Sequence, residues 1–325
     1  MRHKETSMDY KPIYIVGADR CGTTLMQGLL ASHRNIALSS KASNLWTYFY
    51  NQYGSLAQRE NFERCLTAML KYNHVQALNP NPERIRREFA EGEPTYARLF
   101  ALVHEHYAEQ LGKPRWGDRS TYVERFADEI YEAYPSVKIL HMIRDPRDRY
   151  ASSITRWQRG EGKVGGGAAR WLYSVELAKR NLARYPTRYK IVRYESLTSQ
   201  PEATLGEICA FLDEAYDPEM LRFVGAEEFR TRGGNSSYGR QSDTHISPNS
   251  IGKYRKVLSA REIAFMQAQT GREMRWYDYA PETIALSPRE KMLFYLLDVP
   301  SNLARMALWR GIVSLSAQGP KALSR

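Results

Sequence analysis

Short apolar runs alternate with helix-like segments along much of this chain. The first run, at residues 11–17, is followed at once by a helical pattern over residues 22–32. A second run lies at residues 137–143, and a third at 189–194 precedes a helical pattern over about 201–212. Strands that alternate with helices predict an α/β fold with a parallel sheet and helices on both faces. Ligands of such sheets bind beyond the carboxyl ends of the strands, so the residues after each run are candidates for a site.

Helix-forming residues dominate residues 46–110, with breaks at residues 79–82 and 91–94. We therefore expect a single P-loop-like domain over residues 11–280 that contains this helical segment as an insertion. A separate helical tail is expected over residues 284–325.

A loop bounded by two glycines joins the first predicted strand to its helix. Gly17 and Gly22 have the Gly-x4-Gly spacing of a phosphate-binding loop, but Thr23 stands where that motif has lysine, and Arg20 lies inside the loop. Backbone N–H groups at a helix N-terminus cradle phosphates. The predicted phosphate contacts come from four consecutive residues: Cys21, Gly22, Thr23 and Thr24. The alternative is a glycine-rich turn without a ligand.

A second cluster of candidate phosphate ligands follows the run at residues 137–143. Arg144 ends that run, Asp145 and Pro146 are typical of a helix start, and Ser152 lies eight residues after Arg144. An arginine fork with a hydroxyl suits a second, separate phosphate. The alternative is a solvated helix start with local ion pairs.

The two motifs together resemble the sulfotransferases that use 3′-phosphoadenosine-5′-phosphosulfate (PAPS). The resemblance is stronger to the bacterial branch, related to tyrosylprotein sulfotransferases, than to the animal cytosolic enzymes. Further matches lie at residues 116–119, 192–197 and 250–255, and the resemblance covers roughly residues 12–276.

The resemblance implies that PAPS is the donor, that its sulfuryl group passes to a hydroxyl acceptor, and that no metal is needed. Arg20 and the loop would bind the 5′-phosphosulfate and stabilise the charge that develops on the 5′-phosphate. Arg144 and Ser152 would bind the 3′-phosphate. Two further donor contacts are implied: Tyr194 near the adenine, and either Lys253 or Arg255 over the 3′-phosphate.

The general base is less clear from the sequence, because Lys41 occupies the position where related enzymes often have a glutamate. Asp118 is the better candidate, and its alternative is a structural carboxylate paired with Arg119. At a position where the family often has lysine, Arg119 is expected to contact the transferring sulfonate. His33 lies at the far end of the first helix and is expected to be structural.

Cys21 replaces the serine usually found beside the loop arginine. A thiol at a helix N-terminus near arginine can have a lowered pKa and be sensitive to oxidation. The favoured alternative is a small, neutral replacement that leaves the backbone donors intact.

The composition limits the classes of partner and the cellular compartment that we expect. The net charge of +11 suits an anionic ligand or an acidic membrane surface, while no recognition motif supports nucleic acid as a partner. Three widely spaced cysteines indicate neither a disulfide framework nor a metal set, and residues 1–10 lack the apolar core of a signal peptide. We expect a cytoplasmic protein; its oligomeric state is left open.

Two segments outside the motifs have alternative interpretations. Residues 233–250 are rich in glycine, serine and asparagine, which favours a functional lid over an ordinary surface loop. Residues 287–315 are apolar and basic, which is typical of a helix at a membrane interface or of a helix packed on the domain, the latter being favoured.

The expected acceptor is a carbohydrate, a glycolipid or a protein tyrosine, recognised by residues 46–110 and the 233–250 loop. Two alternatives stay open: a module that binds the donor without transferring sulfate, and a P-loop kinase with a displaced lysine.

Overall fold

A five-stranded parallel sheet forms the centre of the molecule. The computed structural model describes residues 11–157, 163–224, 226 and 246–315. Within them the sheet order is β2-β3-β1-β4-β5, with every neighbouring pair parallel. The strands are β1 (Ile13–Val16), β2 (Ile36–Ala37), β3 (Arg115–Arg119), β4 (Lys138–Ile143) and β5 (Tyr189–Arg193). The α/β fold with a parallel sheet is therefore confirmed, and the three predicted strands are β1, β4 and β5.

Strands β2 and β3 were not predicted, because β2 has only two residues and three of the five residues of β3 are charged. β3 begins with Arg115, which is buried and donates to the Leu212 carbonyl at 2.5 Å and to the Glu214 carboxylate at 3.1 Å. These partners, which are distant in sequence, stabilise the buried charge of Arg115. The local sequence pattern instead favours a surface position for an arginine. β3 also brings residues 116–119 into the sheet beside β1, in register with Ile13–Ile15.

Helices cover both faces of the sheet. The helices are α1 (Thr23–Ala31), α2 (Leu45–Tyr48), α3 (Arg59–Lys71), α4 (Asn73–Gln76), α5 (Pro82–Ala90), α6 (Tyr96–Gln110), α7 (Ala127–Ala133), α8 (Pro146–Trp157), α9 (Val164–Arg184), α10 (Tyr194–Ser199), α11 (Pro201–Phe211), α12 (Tyr254–Val257), α13 (Ala260–Trp276), α14 (Pro288–Leu293) and α15 (Val299–Leu315). Short 3₁₀ turns lie at Val123–Phe126 and Pro218–Arg222, and a π-helical turn at Phe294–Asp298 joins α14 to α15.

Alternation along β1 divides the core between the two faces. Tyr14 and Val16 pack into a cluster with helices α2 to α6, whereas Ile13 and Ile15 pack with α1 and α11. All four side chains are at most 1% exposed. The predicted helical insertion at 46–110 therefore contributes to the core on one face of the sheet. A third cluster joins α8, α9, α13 and α15.

The start of α8 agrees with its sequence. The Arg147 backbone N–H donates to the Asp145 carboxylate at 2.8 Å, with Pro146 in the first turn. This cap confirms the predicted helix start and fixes the direction in which Arg144 leaves the end of β4.

The C-terminal segment packs on the domain, as the favoured interpretation of the tail expects. Asn302, Met306, Trp309 and Val313 form the buried side of α15. In the part of the chain that the structure describes, no helix has the length and apolar character needed to cross a membrane.

Candidate functional site

The loop between β1 and α1 requires glycine at both ends. Gly17 has φ of +129° and a Cβ there would collide with the Met142 carbonyl of β4. Gly22 has φ of +94°, and a Cβ there would lie 2.5 Å from the Tyr194 ring. Between them, Arg20 adopts a left-handed conformation with φ of +67°. The loop is thus a tight turn held against β4 and the start of α10.

The N-terminus of α1 has the features of an anion site. Gly22 supplies no capping side chain, and the first turn contains no acidic residue. The leading N–H groups of a helix have no partners within it, and the helix dipole favours an anion there. Thr23 begins the helix and adds a hydroxyl at this end, followed by that of Thr24.

The two predicted phosphate motifs meet through Arg20. Its Nε donates to the Ser152 hydroxyl at 3.0 Å, and its backbone carbonyl accepts from Arg144 Nη1 at 3.3 Å. Burial and the neighbouring Arg144 lower the pKa of the Arg20 guanidinium from its ordinary value. The structure therefore brings together a loop arginine and a strand-end arginine that lie 124 residues apart in sequence.

The Arg144 side chain is almost fully buried, and other residues of the protein fix its position. It is 6% exposed, its guanidinium lies 4.2 Å from the centre of the Tyr194 ring, and Nη2 donates to the Ser250 carbonyl at 2.8 Å. Its Nε is buried and has no hydrogen-bond partner among the described residues. Such buried donors are rare in proteins and indicate a ligand or a solvent contact.

The segment predicted to close over the 3′-phosphate docks on α8 beside Arg144. Asp148 accepts from the backbone N–H groups of Gly252 at 2.6 Å and Tyr254 at 2.9 Å. Lys253 is exposed at the start of α12, whereas Arg255 pairs with Glu282. Of the predicted lid, residues 233–245 lie outside the described residues.

Several residues that organise the site were missed by sequence reasoning. The side chains of Asp148 and Glu195 accept from backbone N–H groups, with Asp145 N–H donating to Glu195 at 2.9 Å. The Trp171 indole donates to the Arg144 carbonyl at 2.8 Å. For Asp148 and Glu195, a signal was available in their positions within or next to the matched motifs.

Asp118, the predicted base, accepts three hydrogen bonds at the carboxyl end of β3. The Ser43 N–H and hydroxyl donate at 3.2 and 2.7 Å, and the Ser120 hydroxyl donates at 2.8 Å. The residue is 3% exposed. These contacts anchor the segment after β2 to the end of β3, and the role of Asp118 as a base stays a prediction.

The neighbouring positions are arranged around the same segment. Arg119 Nε donates to the Gln27 side chain at 2.8 Å, and Gln27 in turn donates to the Ser39 carbonyl at 2.5 Å. Lys41 Nζ lies 3.4 Å from the Asn73 carbonyl, and His74 Nδ1 lies 2.6 Å from the Ala42 carbonyl. The segment at 39–44 therefore forms one wall beside the loop, at the edge where the strands end.

Cys21 and His33 are buried side chains, which agrees with the structural interpretation that the sequence favoured for each. Burial raises the pKa of the Cys21 thiol to about 12, so the thiol is protonated at neutral pH. His33 is 1% exposed, and its Nε2 lies 2.9 Å from the Ala215 carbonyl.

These features define an α/β protein in which a glycine-bounded loop meets a strand-end arginine at one edge of a parallel sheet. The sequence profile of the sulfotransferase family matches residues 12–218, more than half of the chain. The chain therefore belongs to the sulfotransferase family.

Individual relatives are distant. A Caenorhabditis briggsae protein named "Putative protein-tyrosine sulfotransferase" is 23% identical over 222 residues, covering 66% of this chain and 71% of that protein. The sulfotransferase domain of the Synechococcus PCC 7002 olefin synthase superposes with a TM-score of 0.59 at 20% identity, over 83% of this chain and 95% of that domain. At this identity the superposition shows the shared fold.

Proposed function

We propose that this sulfotransferase takes the sulfuryl group from PAPS and transfers it to a hydroxyl acceptor. The observation that carries the donor assignment is the buried Arg144 Nε, which has no hydrogen-bond partner among the described residues and lies beside Arg20 and Ser152. An arginine N–H with a nearby hydroxyl is a suitable receptor for a phosphate that ATP and ADP lack, the 3′-phosphate.

The residues of the loop supply the chemistry of the leaving group. In the transfer, the bond from sulfur to the 5′-phosphate oxygen breaks and a bond from sulfur to the acceptor oxygen forms. Arg20, Thr23 and the N–H groups at the start of α1 stabilise the charge that grows on the 5′-phosphate. Tyr194, stacked on Arg144, bounds the space for the nucleoside. Lys253 follows Gly252, whose backbone N–H donates to Asp148. From this position the Lys253 side chain covers the 3′-phosphate.

The acceptor proton must pass to a base, and Asp118 is the assigned candidate. Arg119 lies next to it at the end of β3 and is assigned to the sulfonate oxygens. A carbohydrate, glycolipid or protein tyrosine fits this assignment. The tyrosine class has additional support from the name of the nematode relative.

Donor binding is tested by calorimetric titration with adenosine 3′,5′-bisphosphate and with ADP. We expect a clear preference for the bisphosphate, and we expect Arg144→Ala to weaken its binding about 10- to 100-fold because a charged hydrogen-bonding group is lost. Ser152→Ala should act in the same direction with a smaller effect.

The matched control is Arg184→Ala, which removes an exposed arginine at the end of α9 that pairs with Asp128. It should leave both affinities unchanged. Equal binding of ADP and the bisphosphate by the unmodified protein would overturn the donor assignment. Transfer itself is followed with radiolabelled PAPS against glycan, glycolipid and tyrosine-peptide acceptors.

A module that binds the donor without transfer is the second candidate, and the contacts of Asp118 favour it. Its carboxylate already accepts three hydrogen bonds, and Lys41 stands where related enzymes often have a glutamate. Tight bisphosphate binding with no labelled product from any acceptor class would support this function.

A further inference from the structure

The C-terminal helical segment, residues 288–314, exposes an unusually large apolar surface. Leu296 is 68% exposed and Tyr295 is 67% exposed. The exposed apolar patch, as we define it, consists of Met292, Tyr295, Leu296, Leu297, Leu303 and Leu308. A contiguous exposed patch of large apolar side chains marks a surface that meets a partner or a membrane.

The residues that the structure describes leave this patch exposed, because the domain packs on the opposite side of the helix. Trp309 lies 5.6 Å from Tyr173 and 6.5 Å from Tyr122, measured between ring centres. A Cβ at Gly165 would collide with the Asn302 carbonyl, so α15 meets α9 at backbone contact. The Asn302 side chain also accepts from the Gly165 N–H at 2.9 Å. The segment is thus fixed with its patch outward.

The outer side of α15 departs from the polar face that a surface helix normally has. Positions spaced three or four residues apart share one side of a helix. The outer positions Pro300, Ala304, Leu308 and Gly311 follow this spacing and include no charged residue. This strip of α15 therefore carries no charge, whereas Arg305 and Arg310 lie at other exposed positions of the helix.

The charges around the patch are mainly basic. Four basic residues lie on the segment: Arg289, Lys291, Arg305 and Arg310, the last of which pairs with Glu176 at 3.3 Å. Its two acidic residues are held by other groups. Glu290 accepts from Ser287 in a capping box, and Asp298 accepts from Arg261 at 2.7 Å. A basic rim around an apolar centre matches a surface that is itself apolar inside and anionic at its face.

We propose that this patch docks the protein on a membrane surface that contains anionic lipids. Leu296, Leu297 and Met292 enter the boundary between headgroups and acyl chains, and Tyr295 lies at the level of the headgroups. The basic residues face the anionic lipids. Docking with a second copy through the same patch would bring two basic rims together, which like-charge repulsion opposes.

The position of the patch relates membrane docking to the candidate acceptor site at the end of β3. Trp309, on the packed side of α15, reaches Tyr122, which follows β3 and its residues Asp118 and Arg119. The membrane-facing segment therefore packs beside the strand end to which the acceptor chemistry is assigned. This docking does not depend on the donor assignment.

Vesicle flotation with the full chain tests the proposal. We expect binding to vesicles of phosphatidylcholine with one third phosphatidylglycerol, weak binding to phosphatidylcholine alone, and a decrease as salt rises from about 0.1 to about 0.5 M. Leu296→Ser with Leu297→Ser should weaken binding at least about tenfold, because two apolar side chains no longer enter the bilayer. Arg289→Gln with Lys291→Gln should remove most of the preference for anionic lipid.

The matched control replaces two exposed leucines elsewhere, Leu111→Ser with Leu182→Ser, which are 47% and 37% exposed. It should bind vesicles like the unmodified chain. Melting temperatures identify any variant that fails to fold, and bisphosphate titration shows whether the donor site is intact. Equal flotation of the patch and control variants would overturn the proposal. A dimer in light scattering that only the patch variant loses would assign the patch to a second copy instead.

Discussion

The side chain of Arg144 connects three parts of the site that lie far apart in sequence. It donates to the carbonyls of Arg20 and Ser250 and stacks on Tyr194. Each contact uses a different part of the guanidinium group, so a lysine could not replace them all. The buried Nε has no hydrogen-bond partner among the described residues, and in the proposed function it donates to a phosphate oxygen.

Cys21 shows how burial can override a position that would otherwise activate a thiol. A helix N-terminus and neighbouring arginines lower a cysteine pKa. Here the side chain is 1% exposed, and burial raises the pKa of the thiol to about 12. The energetic cost of placing a thiolate in this apolar pocket exceeds the attraction of Arg149 and Arg144.

We therefore expect Cys21 to be inert in the folded protein. Thiol-specific alkylation at pH 8, read by peptide mass spectrometry, should leave Cys21 unmodified until the chain is denatured. Cys21→Ser should keep bisphosphate affinity within about threefold, since the backbone donors at the start of α1 are unchanged. Rapid alkylation of native Cys21 would show that the thiolate is populated.

At the scale of elements, the wall of the site depends on a connection between two strand ends. Asp118 ends β3 and accepts from Ser43 and Ser120, which fixes the segment that follows β2. β2 has only two residues and pairs only with β3. Its position therefore relies on this carboxylate as well as on strand pairing.

We expect Asp118→Asn to destabilise the fold by about 1–3 kcal/mol, because an amide nitrogen facing the Ser43 donors leaves buried groups unsatisfied. Urea denaturation of the variant and of Asp128→Asn, a partly exposed control, gives the comparison. Loss of sulfate transfer without any change in stability or donor affinity would instead identify Asp118 as the general base.

The elements that local patterns predict are those with apolar runs or capping residues. β1 and β4 are mainly apolar, β5 has Ile191 and Val192 at its centre, and the Asp145 cap was predicted with its helix. β3 was missed because the partners that allow Arg115 to be buried, such as Leu212 and Glu214, lie 97 and 99 residues away. The contact of Arg20 with Ser152 spans 132 residues and likewise cannot be read from local sequence.

The two candidate phosphate motifs were recognisable in the sequence because each lies on one strand end and its following helix. The distance between the two motifs could not be predicted, since it depends on how β1 and β4 pair. The docking of residues 250–254 by Asp148 has the same origin, because it joins segments 104 and 106 residues apart. The resemblance to a known family predicted the order of these segments along the chain, whereas their contacts depend on tertiary packing.

At the scale of the whole molecule, three apolar clusters surround the sheet, and several polar side chains are fully buried, among them the carboxyl group of Glu124. Glu124 is 0% exposed and lies near the backbone of Gly17, at the start of the loop between β1 and α1. Its Oε1 accepts from the Ser174 hydroxyl at 3.3 Å, and Oε2 has no hydrogen-bond partner among the described residues. Burial raises the pKa of this carboxyl group to about 7.

This raised pKa makes the free energy of unfolding depend on pH. The usual glutamate pKa of about 4.3 applies to the unfolded chain. Between that value and about 7 the folded chain holds a proton on Glu124 that the unfolded chain releases. The contribution of Glu124 to stability is therefore complete below the unfolded pKa and is lost as pH rises through the folded pKa.

Glu124→Gln isolates this effect, because glutamine resembles the protonated acid and does not titrate. Relative to the unmodified protein, the variant should gain about 2–3 kcal/mol of stability between pH 5 and pH 8, measured by urea denaturation at both values. Glu105, whose pKa burial also raises to about 7, titrates in both proteins and cancels from the difference. A stability difference that is the same at pH 5 and pH 8 would mean that Glu124 is already charged in the fold at pH 5, with its charge met by the Gly17 N–H and by Arg125.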